Sequence, residues 1–200
     1  MQVRNWISIA AAFALAGCSG KKDTTTTTDS SGLAVSSPTA TTDSTAANAG
    51  TMTDANILAK ESDGDSAEVV IGQYARAHAT DPAVKAYAKL LVDDHGKGLR
   101  EVHALAKKLS ITPQPPPDDT ASQETAHTLQ HLATLKGHDF DTAFVAHEIQ
   151  DHKTDIADAQ KAAAAAQNPE LKQLVQTSLP ELQKHLDRAE ALDKKLATKG

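Results

Sequence analysis

DPAVKAYAKLLVDDHGKGLREVHALAKKL, residues 81–109, is the stretch on which the reading of the fold turns. Asp81-Pro82 is a helix start: an acceptor side chain at the cap, then proline at the first helical position, where its missing N–H costs nothing. Beyond it Val84, Ala88, Leu91, His95, Gly98, Val102, Leu105 and Leu109 recur at alternating steps of four and three. That period lays them along one stripe, the seam of a helix packed in a bundle.

The rest of the domain reads outward from this helix. Thr112 to Asp119, with Pro113 and Pro115 to Pro117, ends it. A short amphipathic helix is predicted from about Ala121 to Leu135, closed by Gly137. A long helix follows from about Phe140 to Gln167, with Val145, Ile149, His152, Ile156, Ala159 and Ala163 on its seam. Asn168-Pro169 opens the last one, whose seam is Leu171, Val175, Ser178, Leu182, His185, Ala189, Leu192 and Leu196. Pro180 lies inside it and is predicted to kink or interrupt it. Upstream, Asp54 to His78 reads as a less regular helix, weakened by Gly64 and several polar residues. DPAVK at 81–85 returns as NPELK at 168–172, and ALAKKL at 104–109 as ALDKKL at 191–196; the same register pairs Glu68 with Asp155. Two hairpins joined by one long crossover that contains a short helix make an all-α, ferritin-like four-helix bundle.

Three seams carry a histidine, His95, His152 and His185, and Glu68 falls on a comparable row with Ile57, Ile71 and Ala75. Counted from the hairpin turns, each lies roughly 18–25 Å along its helix, so all four are predicted to meet in one layer. Glu68, His95, His152 and His185 are therefore candidate ligands for a divalent transition metal (Zn, Cu, Fe or Mn), because imidazole and carboxylate suit these ions. Asp94, Glu148, Asp151 and Glu181, next to the histidines or one turn before them, are candidate partners that orient the imidazoles. The alternative is a buried layer of His–carboxylate hydrogen bonds that fixes helix register. No seam histidine has Glu three residues before it (position 92 is Val92), which argues against a di-iron oxidase centre. Histidines buried in the neutral form predict loss of stability near pH 6, where protonation would charge the core.

The N-terminus addresses the chain. Arg4 precedes an apolar run, Trp6 to Ala16, of about 11 residues, the length of a secretion signal and shorter than the roughly 20 apolar residues that span a bilayer. Leu15-Ala16-Gly17-Cys18 resembles the lipobox of bacterial lipoproteins, so residues 1–17 are expected to be a removed signal peptide and Cys18 a lipidated membrane anchor. Ser19 in place of Asp favours the outer membrane, facing the periplasm, by resemblance to lipoprotein sorting. Residues 18–52, rich in Thr, Ser and Ala, are expected to form a disordered tether of roughly 30 Å as a coil, leaving 53–200 as the helical domain. Cys18 is the single cysteine, so an intramolecular disulfide is excluded. A net charge of −6 with no basic patch argues against nucleic acid as a partner.

The domain is similar to the bacterial envelope proteins grouped as domain of unknown function 4142, described as ferritin-like. The residues that carry the likeness are AEVVIGQYA at 67–75, DPAVKAYAKLLVDDH at 81–95, FDTAF at 140–144, QDH at 150–152 and PELQKHL at 180–186. The resemblance implies export and a helical bundle and carries no established activity. No nucleophile motif or phosphate-binding loop is present. The expectation is a membrane-anchored periplasmic lipoprotein whose bundle is non-enzymatic and serves binding or structure in the envelope. A metal-binding, storing or sensing bundle and a module for envelope protein partners are the alternatives.

Overall fold

The computed structural model describes residues 52–199. The expected signal peptide, Cys18 and the tether to residue 51 lie outside the described residues. The described elements are all helices: α1 Asp54–His78, α2 Pro82–Leu109, α3 Ala121–Ala133, α4 Gly137–Ala165 and α5 Pro169–Ala197.

Local chemistry sets the helix starts. Thr53 caps α1 through a reciprocal box with Asn56. Asp81 accepts the Ala83 N–H at 2.7 Å, and Asn168 accepts those of Glu170 and Leu171 at 2.8 and 3.3 Å, each followed by proline at the first helical position. α2 ends at Ser110 in the left-handed conformation (φ 55°). The proline-rich segment after it is held to the start of α1, where the Gln114 N–H donates to the Ala55 carbonyl and Asn56 Nδ2 to the Gln114 carbonyl.

α1 packs on α2 and α4 on α5 as two hairpins. α2 also meets α5 and α1 meets α4, so the order around the bundle is α1, α2, α5, α4, with α3 laid across α1 and α4. The long crossover brings the chain back to the end where it left α1, and every neighbouring pair of long helices runs antiparallel. This is the ferritin-like connectivity expected from the seams.

Two local expectations are corrected. α3 stops at Ala133, and Gly137 does not close it. Its φ of +61°, easy only for glycine, instead turns the chain into α4. Of the kink or interruption expected at Pro180, the interruption is absent: α5 is continuous through it. Pro180 and Gln176, whose carbonyl loses its helical donor, occupy exposed positions where water can replace the bond.

The hairpins lock each other reciprocally. Asp141, buried near the start of α4, accepts hydrogen bonds from the Thr80 and Asp81 N–H groups, both at 2.8 Å, and from the Thr80 hydroxyl at 2.6 Å. At the other end Asp54, the first residue of α1, accepts the Gln167 and Asn168 N–H groups at 2.8 and 3.0 Å. The register that pairs Asp81 with Asn168 also pairs Asp54 with Asp141 and Thr80 with Gln167. Each carboxylate therefore satisfies the turn of the opposite hairpin. Asp141→Ala orphans two amides and a hydroxyl and is expected to cost about 2–3 kcal/mol. Thermal unfolding should show a drop of roughly 5–10 °C for a domain of this size.

Candidate metal centre

The apolar core is divided in two. One cluster, built around Ile71, Tyr87, Leu91, Phe140, Phe144 and Leu192, fills the α1–α2 turn end. The other, around Ile57, Leu58, Val102, Leu105, Leu171 and Val175, fills the opposite end. Between them every long helix inserts an ionisable side chain, Glu68 from α1, His95 from α2, Glu148 and His152 from α4 and His185 from α5, all buried.

The three histidines face one another with ring centroids 5.2–5.7 Å apart. Each turns one ring nitrogen outward to an acceptor. His95 Nδ1 lies 2.8 Å from Asp65 Oδ1, His152 Nδ1 lies 3.0 Å from the Glu148 backbone carbonyl, and His185 Nε2 lies 3.0 Å from Asp94 Oδ2. None of these acceptors brings a proton, so the imidazoles must donate. Burial, reinforced by the neighbouring imidazoles, pushes His152 down to about 3; burial pushes His185 down to about 4, against the pull of Asp94. Both rings are therefore neutral at pH 7 and have one proton each, already committed outward. His152 Nε2 and His185 Nδ1 then face each other across 3.3 Å as two lone pairs with no proton between them. His95 Nε2 is buried without a partner. One donor atom from each of the three residues lies within 4.8 Å of the others. Three ring nitrogens directed inward without a donor, each ring held by an acceptor behind it, is the arrangement that holds a cation.

Gly98 makes room for one of those acceptors. A Cβ there would come within 2.6 Å of Asp65 Oδ2, so α2 admits the α1 carboxylate beneath His95 only because this position is glycine.

On the α1–α4 side the layer becomes acidic. Glu68, Glu148 and His152 bring donor atoms within 4.8 Å of one another, as do Glu68, Asp151 and Asp155. His152 Nδ1 is 3.6 Å from Glu148 Oε2. Both oxygens of Glu68 and both of Glu148 are buried without a hydrogen-bond partner. Burial first, and then the adjacent carboxylates, raise both groups well above the ordinary range. The same causes take Asp155 up to about 8 and Glu61 up to about 7.

The candidate residues thus fall into two joined groups. His95, His152 and His185 come together; Glu68 reaches His152 and Glu148 but not a common point with all three histidines. Asp94 holds His185, and with Glu181 and His185 forms a further ligand group toward the α2–α5 side. Glu148 holds His152 through its backbone carbonyl, while Asp151 turns to Glu68 and Asp155 and makes no hydrogen bond to a seam histidine. Asp65 and Asp155 complete the layer without having been singled out as site residues; the repeat register, which pairs Asp65 with His152 and Glu68 with Asp155, was the signal that points to them.

The chain matches the domain of unknown function DUF4142 over residues 39–192. It belongs to the DUF4142 family. No curated protein matches it. Among solved structures it is similar to a DUF305 protein from Streptomyces coelicolor, with a TM-score of 0.64 and 14% identity over 72% of this chain and 92% of that one. It is also similar to CopM in its Cu(II)-bound form, with a TM-score of 0.57 and 17% identity over 72% of this chain and 98% of that one. At these identities the likeness is one of fold.

The shifted groups make opposing demands on pH. A carboxyl raised in the folded state holds its proton there while the unfolded chain has lost it, so stability falls as pH rises through that window. For Asp155 the window runs from 3.8 to about 8, and for Glu61 from 4.5 to about 7, with Glu68 and Glu148 acting in the same sense. The depressed histidines act oppositely, losing stability as pH falls from 6.5 toward about 4 for His185 and about 3 for His152. Acid loss from the histidines alone, expected from the sequence near pH 6, is therefore offset by the buried carboxyls. Above pH 6.5 the contribution of the histidines is nearly complete and the carboxyls dominate. The metal-stripped protein is expected to melt at a higher temperature at pH 6.5 than at pH 8, and equal melting would show that these carboxyls are not buried as protonated acids.

Proposed function

We propose that this protein binds a transition-metal cation of the copper or zinc class in the middle of its bundle, through His95, His152 and His185. The observation that carries this reading is the proton shortage at the triad: with both rings donating outward, His152 Nε2 and His185 Nδ1 face each other as lone pairs, and His95 Nε2 is buried beside them without a partner. Three imidazoles suit Cu2+ and Zn2+, and the carboxylates of Asp94 on His185 Nε2 and Asp65 on His95 Nδ1 sit behind the rings, where negative charge strengthens the inward nitrogens as ligands. A neighbour of the same fold, CopM, has a Cu(II)-bound form, which supports the metal class. Binding rather than catalysis suits a site whose three histidines are at most 6% exposed. Holding or sensing the metal is the role that follows.

The expected setting is the cell envelope, with the domain tethered through lipid on Cys18. Among the described residues no helix is long and apolar enough to cross a membrane, so a lipid anchor would be the attachment this reading relies on.

Chelator-stripped protein titrated with Cu2+ is expected to take up one equivalent with nitrogen hyperfine structure in its EPR spectrum. At a hundredfold excess over the dissociation constant the ion adds about 2.7 kcal/mol, a rise in melting temperature of roughly 5–10 °C. His152→Ala and His185→Gln should abolish both effects. Failure to retain Cu2+ or Zn2+ would leave the layer as internal hydrogen bonding and defeat the proposal. Separately, Cys18→Ala should move the protein from the membrane fraction to the soluble fraction of the envelope; unchanged membrane association would remove the lipid anchor.

A further inference from the structure

Beyond the histidine triad, we propose a second cation position on the α1–α4 side of the layer, formed by Glu68, Asp151 and Asp155 and suited to a hard divalent ion. Their carboxylates bring one oxygen each within 4.8 Å of the others. What separates this group from an ordinary acidic patch is Glu68, 1% exposed, with both oxygens lacking any hydrogen-bond partner. Among the described residues no lysine or arginine pairs with Glu68, Asp151 or Asp155; the nearby cations Lys60 and Lys161 are engaged with Asp158, and Lys153 with Glu190. Without a counterion the buried Glu68 carboxyl can only hold a proton, and a cation that replaces this proton supplies the missing partner.

The internal repeat points the same way. The register that pairs Asp81 with Asn168 makes Glu61, Asp65 and Glu68 of α1 equivalent to Glu148, His152 and Asp155 of α4, and across the antiparallel pair Glu68 shares ligand groups with Glu148 and with Asp155. The two helices present matching ligand rows to each other, in nitrogen and oxygen at one end of the layer and in oxygen alone at the other. Oxygen-only sites favour Mn2+, Mg2+ or Ca2+ over the softer ions that imidazole selects. A route from solvent exists: Asp151 and Asp155 line a cavity of about 560 Å³ whose walls hold many carboxylates, and whose only lysines or arginines are Lys60 and Lys97. A negative funnel of this kind concentrates cations at its base. Glu148 joins the two positions, since it shares a ligand group with both Glu68 and His152.

The test uses full-length protein stripped of metal and titrated with Mn2+, following the loss of the free-ion EPR signal. The wild type is expected to bind one equivalent. Asp151→Asn/Asp155→Asn should weaken that binding at least about tenfold, and His185→Gln should leave it within about twofold, while Cu2+ shows the converse. The amide variants remove repulsion and should melt no lower than the wild type; Asp155→Asn alone, at a half-buried position, is the second variant. No Mn2+ binding, or Mn2+ binding indifferent to the amide variants, overturns the proposal. Loss in His185→Gln equal to that in the amide variants overturns it too, by reducing the layer to one shared site. Mn2+ binding without Cu2+ binding would sustain this position while removing the histidine site.

Discussion

Setting carboxyl groups and imidazoles across the middle of a small helical bundle costs several kcal/mol for each group that keeps a charge there without a partner. The rest of the structure is arranged around that constraint. Four long helices cross it, each surrendering core positions near its centre to polar side chains, so the apolar core is two end plugs and not one column. His152 and His185 meet the constraint by staying neutral, and all three imidazoles donate hydrogen bonds outward, to Asp65, the Glu148 carbonyl and Asp94. Glu68 and Glu148 meet it by holding protons or by holding a cation, and they have no third means.

Much of this was legible in the chain because helices in a bundle advertise their buried stripe. The alternating steps from Val84 to Leu109 placed His95 on the seam without any knowledge of its neighbours, and the same count found His152 and His185. Glu68 was found more narrowly, through its row with Ile57, Ile71 and Ala75. Asp65 escaped because aspartate in an irregular polar helix ordinarily reads as solvent-facing. Only the absence of a side chain at Gly98, on a different helix, admits it to the layer. Gly137 was misassigned for a related reason: a glycine after a short helix has the composition of a C-terminal stop, and composition does not say which of two adjoining helices uses the left-handed residue.

The pseudo-symmetry explains why the site is lopsided. Positions that correspond under the repeat are occupied by Glu61 and Glu148, by Asp65 and His152, by Glu68 and Asp155, and on the second helix of each hairpin by Asp94 and Glu181. The backbone offers equivalent places on both hairpins, and the side chains there differ so that imidazoles gather on one side and carboxylates on the other. His95 and His185 break the correspondence outright, facing Leu182 and Gly98 in the partner register.

The reciprocal carboxylates at the two ends of the bundle have a consequence for how the chain reaches its folded state. The amides of the α1–α2 turn find their acceptor in α4, and those of the α4–α5 turn find theirs in α1. Neither half is finished alone: a lone hairpin would expose two unanswered amides at its tip as well as half of each apolar plug. Assembly is therefore a docking event between mutually incomplete pieces. The crossover carries the chain between them, while their complementarity resides in the hairpins themselves. The same complementarity would let one copy's first hairpin accept the second hairpin of another, so the length and fastening of the crossover, pinned at Gln114 to the start of α1, bear on whether the pairing stays within a single chain.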